Sequence, residues 1–282
     1  MTEKQTGSLQ EWLWPSLFFL AFFWTLWHIP AFLLDYFPPE SESLRVQILD
    51  WFTRKDALPG LPPLFGEYAD PIDWLALILL PISFAFGLFN IVRAPMEFEH
   101  WRPWDRFALF LGRVTMMMSL AMTGVMLYEV FVRYVLEAGT KWANELTLWI
   151  AGCLFLLSGV YAMQQRCHIR ITLLYDYVPR AMRKTFDVIS TALIVIFAAG
   201  LIFGSYKQVF VNKFYKWEML GTAFDPPIPA TIQPMILIVM ALVALQAVAN
   251  LIADWHLDPE THDPVEIDQD EIDAIKRSVG AD

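Results

Sequence analysis

The sequence predicts an all-α integral membrane protein with six transmembrane helices. Its 282 residues are 56 % hydrophobic and only 18 % charged, a balance that ordinary soluble domains do not reach. The apolar residues gather into six runs of about 20 residues or more, each long enough to cross a bilayer. None of the runs alternates as a membrane strand would, and backbone groups in lipid must be paired within the segment, so the runs read as helices.

The first run, 12–34, is rich in Trp and Phe and follows a polar start. It lacks a small-residue cleavage site and reads as a retained anchor. The second covers 71–92. The third, 106–136, exceeds the bilayer thickness and is expected to tilt or to project beyond it. The fourth covers 142–164. The fifth covers 186–209, or starts as early as Arg180, and the sixth covers 229–253.

Basic residues set the orientation. The connections 93–106 and 165–184 carry Arg93, Arg102, Arg106, Arg166, Arg170, Arg180, Arg183 and Lys184. The opposite connections carry Lys141, Lys207, Lys213 and Lys216. The richer pair is expected in the cytoplasm, which with six spans puts both termini there too. The proline-rich loop 35–70 then lies outside, with a short surface helix expected near 43–52. Trp12, Trp14, Trp51, Trp74, Trp101, Trp104, Trp142, Trp217 and Trp255 fall near run ends, as an interfacial aromatic belt does. Most of the net charge of −10 sits in 254–282, where ten acids face Lys276 and Arg277. That segment reads as an acidic, solvated tail.

Few residues carry chemistry. Glu129 and Arg133 share a helix face at the end of the third run and are expected to pair. The pair reads as structural, with Glu145 as a further partner across a short turn; an ion or proton relay is the alternative. His168 opens a segment, HIRITLLYDYVP, suited to lying in the membrane interface. His28 is the one histidine well inside a run, too few for a bis-histidine haem. Cys153 and Cys167 read as free thiols, with no metal-ligand spacing around them. Gly152 with Gly159, and Gly200 with Gly204, offer small faces for close helix approach. No phosphate loop, nucleophile elbow, paired catalytic carboxylates or nucleic-acid surface is evident, so neither an enzyme nor a nucleic-acid binder is expected. The two halves show no matching broken helices of the kind that mark self-contained carriers.

One arrangement is distinctive. Arg133-Tyr134 closes one span, Trp142-x-x-Glu145 opens the next, and Arg166-x-His168-Ile169 and Pro179-x-x-x-Arg183 follow. In that order and placement, residues 105–255 resemble the small, DctQ-type membrane subunit of tripartite ATP-independent periplasmic (TRAP) transporters. The resemblance implies an accessory scaffold in the bacterial inner membrane. It implies a large DctM-type partner that holds the substrate and sodium sites, and a periplasmic substrate-binding protein. No cofactor is implied for the small subunit itself. The chain then divides into an N-terminal extension with two spans (1–104), the DctQ-like four-helix domain (105–255) and the acidic tail (256–282). Glu129, Arg133, Trp142, Glu145, Gly152, Gly159, Arg166, His168, Gly200 and Gly204 become candidates for structure and assembly. The alternative function is a membrane anchor of a redox enzyme, which would need haem or quinone ligands.

Overall fold

A computed structural model describes residues 9–36, 41–46, 69–94, 97, 102–166 and 179–255. These form helices α1 (Leu9–Trp27), α2 (Ile29–Tyr36), α3 (Pro71–Asn90), α4 (Asp105–Val135), α5 (Ala143–Gln164), α6 (Arg180–Tyr206) and α7 (Ile228–Asp254). A π-helical segment, Lys207–Phe214, continues α6. Residues 42–46 form a helical turn inside the expected surface helix, the rest of which lies outside the described residues. His168, Cys167, most of the loop 35–70 and the tail 256–282 also lie outside them. The molecule is a multi-pass all-α membrane protein, with no strand among the described residues.

Five helices are long and apolar enough to cross a membrane: Pro71–Asn90, Asp105–Val135, Ala143–Gln164, Ala181–Phe214 and Ile228–Asp254. The fifth expected run starts early, as Arg180 allowed, and extends five residues past its expected end at 209 because the π-helical turns carry the helix to Phe214. The first expected run divides at His28 into the 19-residue α1 and the short α2. The break lies just before Pro30, which has no backbone N–H to donate to the Leu26 carbonyl one turn earlier and whose ring crowds that carbonyl.

Local chemistry explains the helix ends. Asp70 starts α3 by accepting from the backbone N–H groups of Ile72 and Asp73, at 2.8 and 2.9 Å. Asp73 returns the bond to the Asp70 N–H at 3.1 Å, closing a capping box with Pro71 at the first helical position. At the other end of α4, the Ala138 N–H reaches back to the Val132 carbonyl at 3.1 Å. Glu137, at φ 54°, takes the left-handed position that glycine usually fills in such a turn.

The core is shared by α1, α4, α5 and α7. Phe18, Phe110, Val114, Met118, Cys153, Leu157 and Met235 are buried together. Trp149 joins Trp27 and Ala31 in a second cluster, with Phe23 edge-on to its ring at 5.0 Å. The N-terminal helices therefore pack on the same core as the later ones. Glycine permits two of these contacts. A Cβ on Gly87 would lie 2.2 Å from the Phe110 ring, and one on Gly112 would lie 2.6 Å from the Tyr161 ring.

Candidate functional site

Buried polar groups collect at the two ends of the bundle. Arg113 and Glu129 mark them on α4, separated by about 24 Å of helix at 1.5 Å per residue.

At the Glu129 end, the expected pair is present. Glu129 is buried, and its Oε1 accepts from Arg133 Nε at 3.0 Å and Nη2 at 2.5 Å. Its Oε2 accepts from the Thr140 N–H at 3.1 Å and from the Thr140 hydroxyl. The Thr140 hydroxyl oxygen in turn accepts from the Ala143 N–H at the start of α5. One carboxylate thus fixes the whole α4–α5 turn. Trp142, at that turn, stacks on Tyr128 of α4 with ring centroids 5.8 Å apart.

The expected approach of Arg133 to Glu145 is not what forms. Glu145 Oε2 accepts instead from the Thr222 hydroxyl at 2.6 Å and the Asp225 N–H at 2.9 Å. The reason lies in the directions of the two side chains. Arg133 reaches along α4 to its i−4 neighbour, whereas Glu145 faces the loop that leads into α7. Close by, Trp149 Nε1 donates to the Thr231 hydroxyl at 2.9 Å, pinning α5 to α7. Gly152 sits on the same interface, where a Cβ would come within 3.1 Å of Ile232. Among the described residues, nothing lies within 4 Å of where a Cβ would stand on Gly159, Gly200 or Gly204. The small residues therefore divide into one internal contact and three positions free for an outside neighbour.

The opposite end holds a cluster that sequence reading missed. Arg113 is almost fully buried and donates through Nε to Glu11 Oε1 at 3.2 Å and through Nη1 to Glu97 Oε1 at 2.8 Å. Its Nη2 donates to the Val92 carbonyl at 3.2 Å, and the Trp12 ring lies 5.9 Å from its Cζ. The Tyr161 hydroxyl donates to Glu97 at 2.9 Å. Four segments, α1, the chain after α3, α4 and α5, thus meet on one guanidinium. Beside this cluster Arg166 forms a two-pronged pair with Asp254, at 3.0 and 2.8 Å, joining the end of α5 to the end of α7. Asn250 Nδ2 donates to the Met163 carbonyl at 2.7 Å, and Gln246 donates to Asp105 at 3.2 Å.

A third polar contact ties α1 to α3. Trp24 Nε1 donates to Asp73 Oδ1 at 2.8 Å, while the His28 ring stacks on Trp24 and its Nδ1 lies 2.8 Å from the Trp24 carbonyl. Among the described residues no group of three His, Cys, Asp or Glu side chains is placed to hold a metal ion. The arrangement is one of struts between helices, with each buried carboxylate occupied by donors from the chain itself.

Comparison with known proteins bears on these helices. Residues 122–256 match the family model described as tripartite ATP-independent periplasmic transporters, DctQ component. Over those residues, just under half of the chain, it is similar to the DctQ component. A relative, the C4-dicarboxylate TRAP transporter small permease protein DctQ of Vibrio cholerae serotype O1, is 26 % identical over 115 residues. That alignment covers 40 % of this chain and 48 % of the relative, so the chain spans about half the length of the protein it matches. No solved structure matches the chain. The DctQ match opens within α4 and runs through α5, α6 and α7. It takes in Glu129, Arg133, Glu145 and Arg166 with their partners, whereas Arg113, Glu97 and Glu11 precede it.

Proposed function

We propose that this chain is the small membrane subunit of a sodium-coupled, binding-protein-dependent TRAP transporter for organic acids or related small solutes. It braces a large DctM-type subunit, and a periplasmic binding protein delivers solute to that complex. The observation that supports this most is the DctQ match over a bundle whose buried carboxylates are taken up by the chain's own donors. Such an interior is suited to holding a shape. The sodium and solute sites belong to the large subunit, and no cofactor or catalytic residue is assigned here. The name of the Vibrio cholerae relative, a C4-dicarboxylate transporter subunit, supports an acidic solute.

The proposed contact face is the open side of α5 and α6, where Gly159, Gly200 and Gly204 let another helix approach. α6 with its π-helical extension is also the least buried of the five apolar helices. The proposed setting is the bacterial inner membrane, with six crossings and both termini in the cytoplasm. Two contacts support α1 as the sixth crossing. Glu11 near its start meets Arg113, and Trp24 near its end meets Asp73 at the start of α3. α1 thus runs the length of α3 in the opposite sense. Arg93, Arg102, Arg166, Arg183 and Lys184 lie at the bundle end that holds Leu9 and Trp255, and this basic bias supports a cytoplasmic placement of that end.

Uptake into proteoliposomes tests the proposal. With this chain alone, no sodium-driven accumulation of a C4-dicarboxylate is expected. Addition of the large subunit and binding protein should establish it. Sodium-driven accumulation by the isolated chain would overturn the accessory role.

A further inference from the structure

The basic end of the bundle carries a pocket beside these struts. It has a volume of about 240 Å³ and lies between the start of α4 and the end of α7. At about 30 Å³ per water, that is room for roughly eight waters. Arg102 and Trp104 form one side, Arg166 another, and Ala249, Ile252 and Ala253 of α7 supply an apolar wall.

The walls are held in place. Trp104 Nε1 donates to Gln246 Oε1 at 3.2 Å, and Gln246 donates onward to Asp105 and Asn250. Arg166 is fixed by Asp254 and by the Gln164 carbonyl. Two acids are close, and both are engaged: Asp105 accepts from the Arg102 N–H at 2.8 Å and from Gln246, and Asp254 accepts from Arg166. The guanidinium of Arg102 differs. It is exposed and has no hydrogen-bond or ion-pair partner among the described residues.

The chemistry is therefore graded. A free cation and a half-exposed tryptophan stand at the end of an apolar helix, and the apolar wall continues along α7 through Ile252, which is itself exposed. A soluble phosphate would use the guanidinium and leave the apolar wall unused. A membrane phospholipid uses both: its phosphodiester faces Arg102, Trp104 sits at glycerol level, and an acyl chain follows Ile252 down α7. Basic pockets between membrane helices hold acidic headgroups for this reason. We propose that this pocket is a binding site for an anionic phospholipid, with Arg102 as the principal phosphate contact and Arg166 as a fixed second charge.

Native mass spectrometry of the full chain, released from nanodiscs of mixed phosphatidylglycerol and phosphatidylcholine, tests this site. The wild-type chain should retain phosphatidylglycerol over phosphatidylcholine. Arg102→Gln should lower that retention about fivefold, the change expected for one interfacial cation. Lys216→Gln, at the opposite end of the bundle, should leave it unchanged. Inorganic phosphate at millimolar concentration should neither displace the lipid nor bind to the delipidated chain. Equal retention by wild type and Arg102→Gln would overturn the site. Binding of inorganic phosphate that depends on Arg102 without lipid would overturn the lipid as its occupant.

Discussion

Arg113 on α4 donates to Glu11 at the start of α1, at 3.2 Å, with both side chains buried. This contact joins the N-terminal third of the chain to the helix in which the DctQ match begins. Glu97 completes the cluster from the segment after α3. The extension is therefore built into the fold through a charged core contact as well as through Phe18 and Trp27.

Arg113→Ala leaves two carboxylates buried without their cation. Loss of one partner from a buried ion pair costs about 3–5 kcal/mol. The variant is expected to aggregate or to melt far below the wild type in a detergent thermal-shift measurement. Replacement of Arg113 by Met together with Glu11→Gln and Glu97→Gln removes the charges together and should recover much of the loss. A wild-type melting temperature for Arg113→Ala would contradict the clamp.

Glu129 should matter more than Arg133. Glu129 holds both the guanidinium and Thr140, while Arg133 is over half exposed and donates to Glu129. Glu129→Ala is expected to make the turn 136–142 the first site of protease cleavage, and Arg133→Ala to have a smaller effect. A double-mutant cycle should find coupling between Arg133 and Glu129 and none between Arg133 and Glu145. Coupling of Arg133 to Glu145 would contradict the geometry.

The glycines should separate into two groups. Gly87→Ala places a methyl against the buried Phe110 ring, and Gly112→Ala places one against Tyr161. Overpacking of this kind costs about 1–3 kcal/mol. At Gly200 and Gly204 a Cβ meets nothing within 4 Å among the described residues, so Gly200→Leu with Gly204→Leu should leave the melting temperature unchanged. Thermal-shift measurement of all three variants distinguishes folding glycines from docking glycines.

The sequence made some of this legible, and distance along the chain decides which parts. Glu129 and Arg133 pair at i,i+4, a relation fixed by helix geometry alone. The capping of α3 is equally local, set by Asp70, Pro71 and Asp73 within four residues. Arg113 carries no such local signal, since its partners are Glu11 and Glu97, brought together by tertiary packing. Spacing alone offers Glu145 the nearest cation across a short turn, whereas its partners, Thr222 and Asp225, arrive from beyond α6. Gly200 and Gly204 were visible as a motif. Gly87 and Gly112 were not, since each stands opposite one aromatic ring in a neighbouring helix, and single glycines carry no spacing signal.

The chain is expected to be one part of a larger membrane assembly. Affinity purification of the tagged full chain from its native membrane, in mild detergent, tests that claim. The account predicts co-purification of a large multi-pass membrane subunit with the wild type. It predicts loss of that subunit from the Gly200→Leu/Gly204→Leu variant, with the variant itself remaining folded. A wild-type chain that purifies alone, and by itself drives sodium-dependent solute uptake, would contradict it.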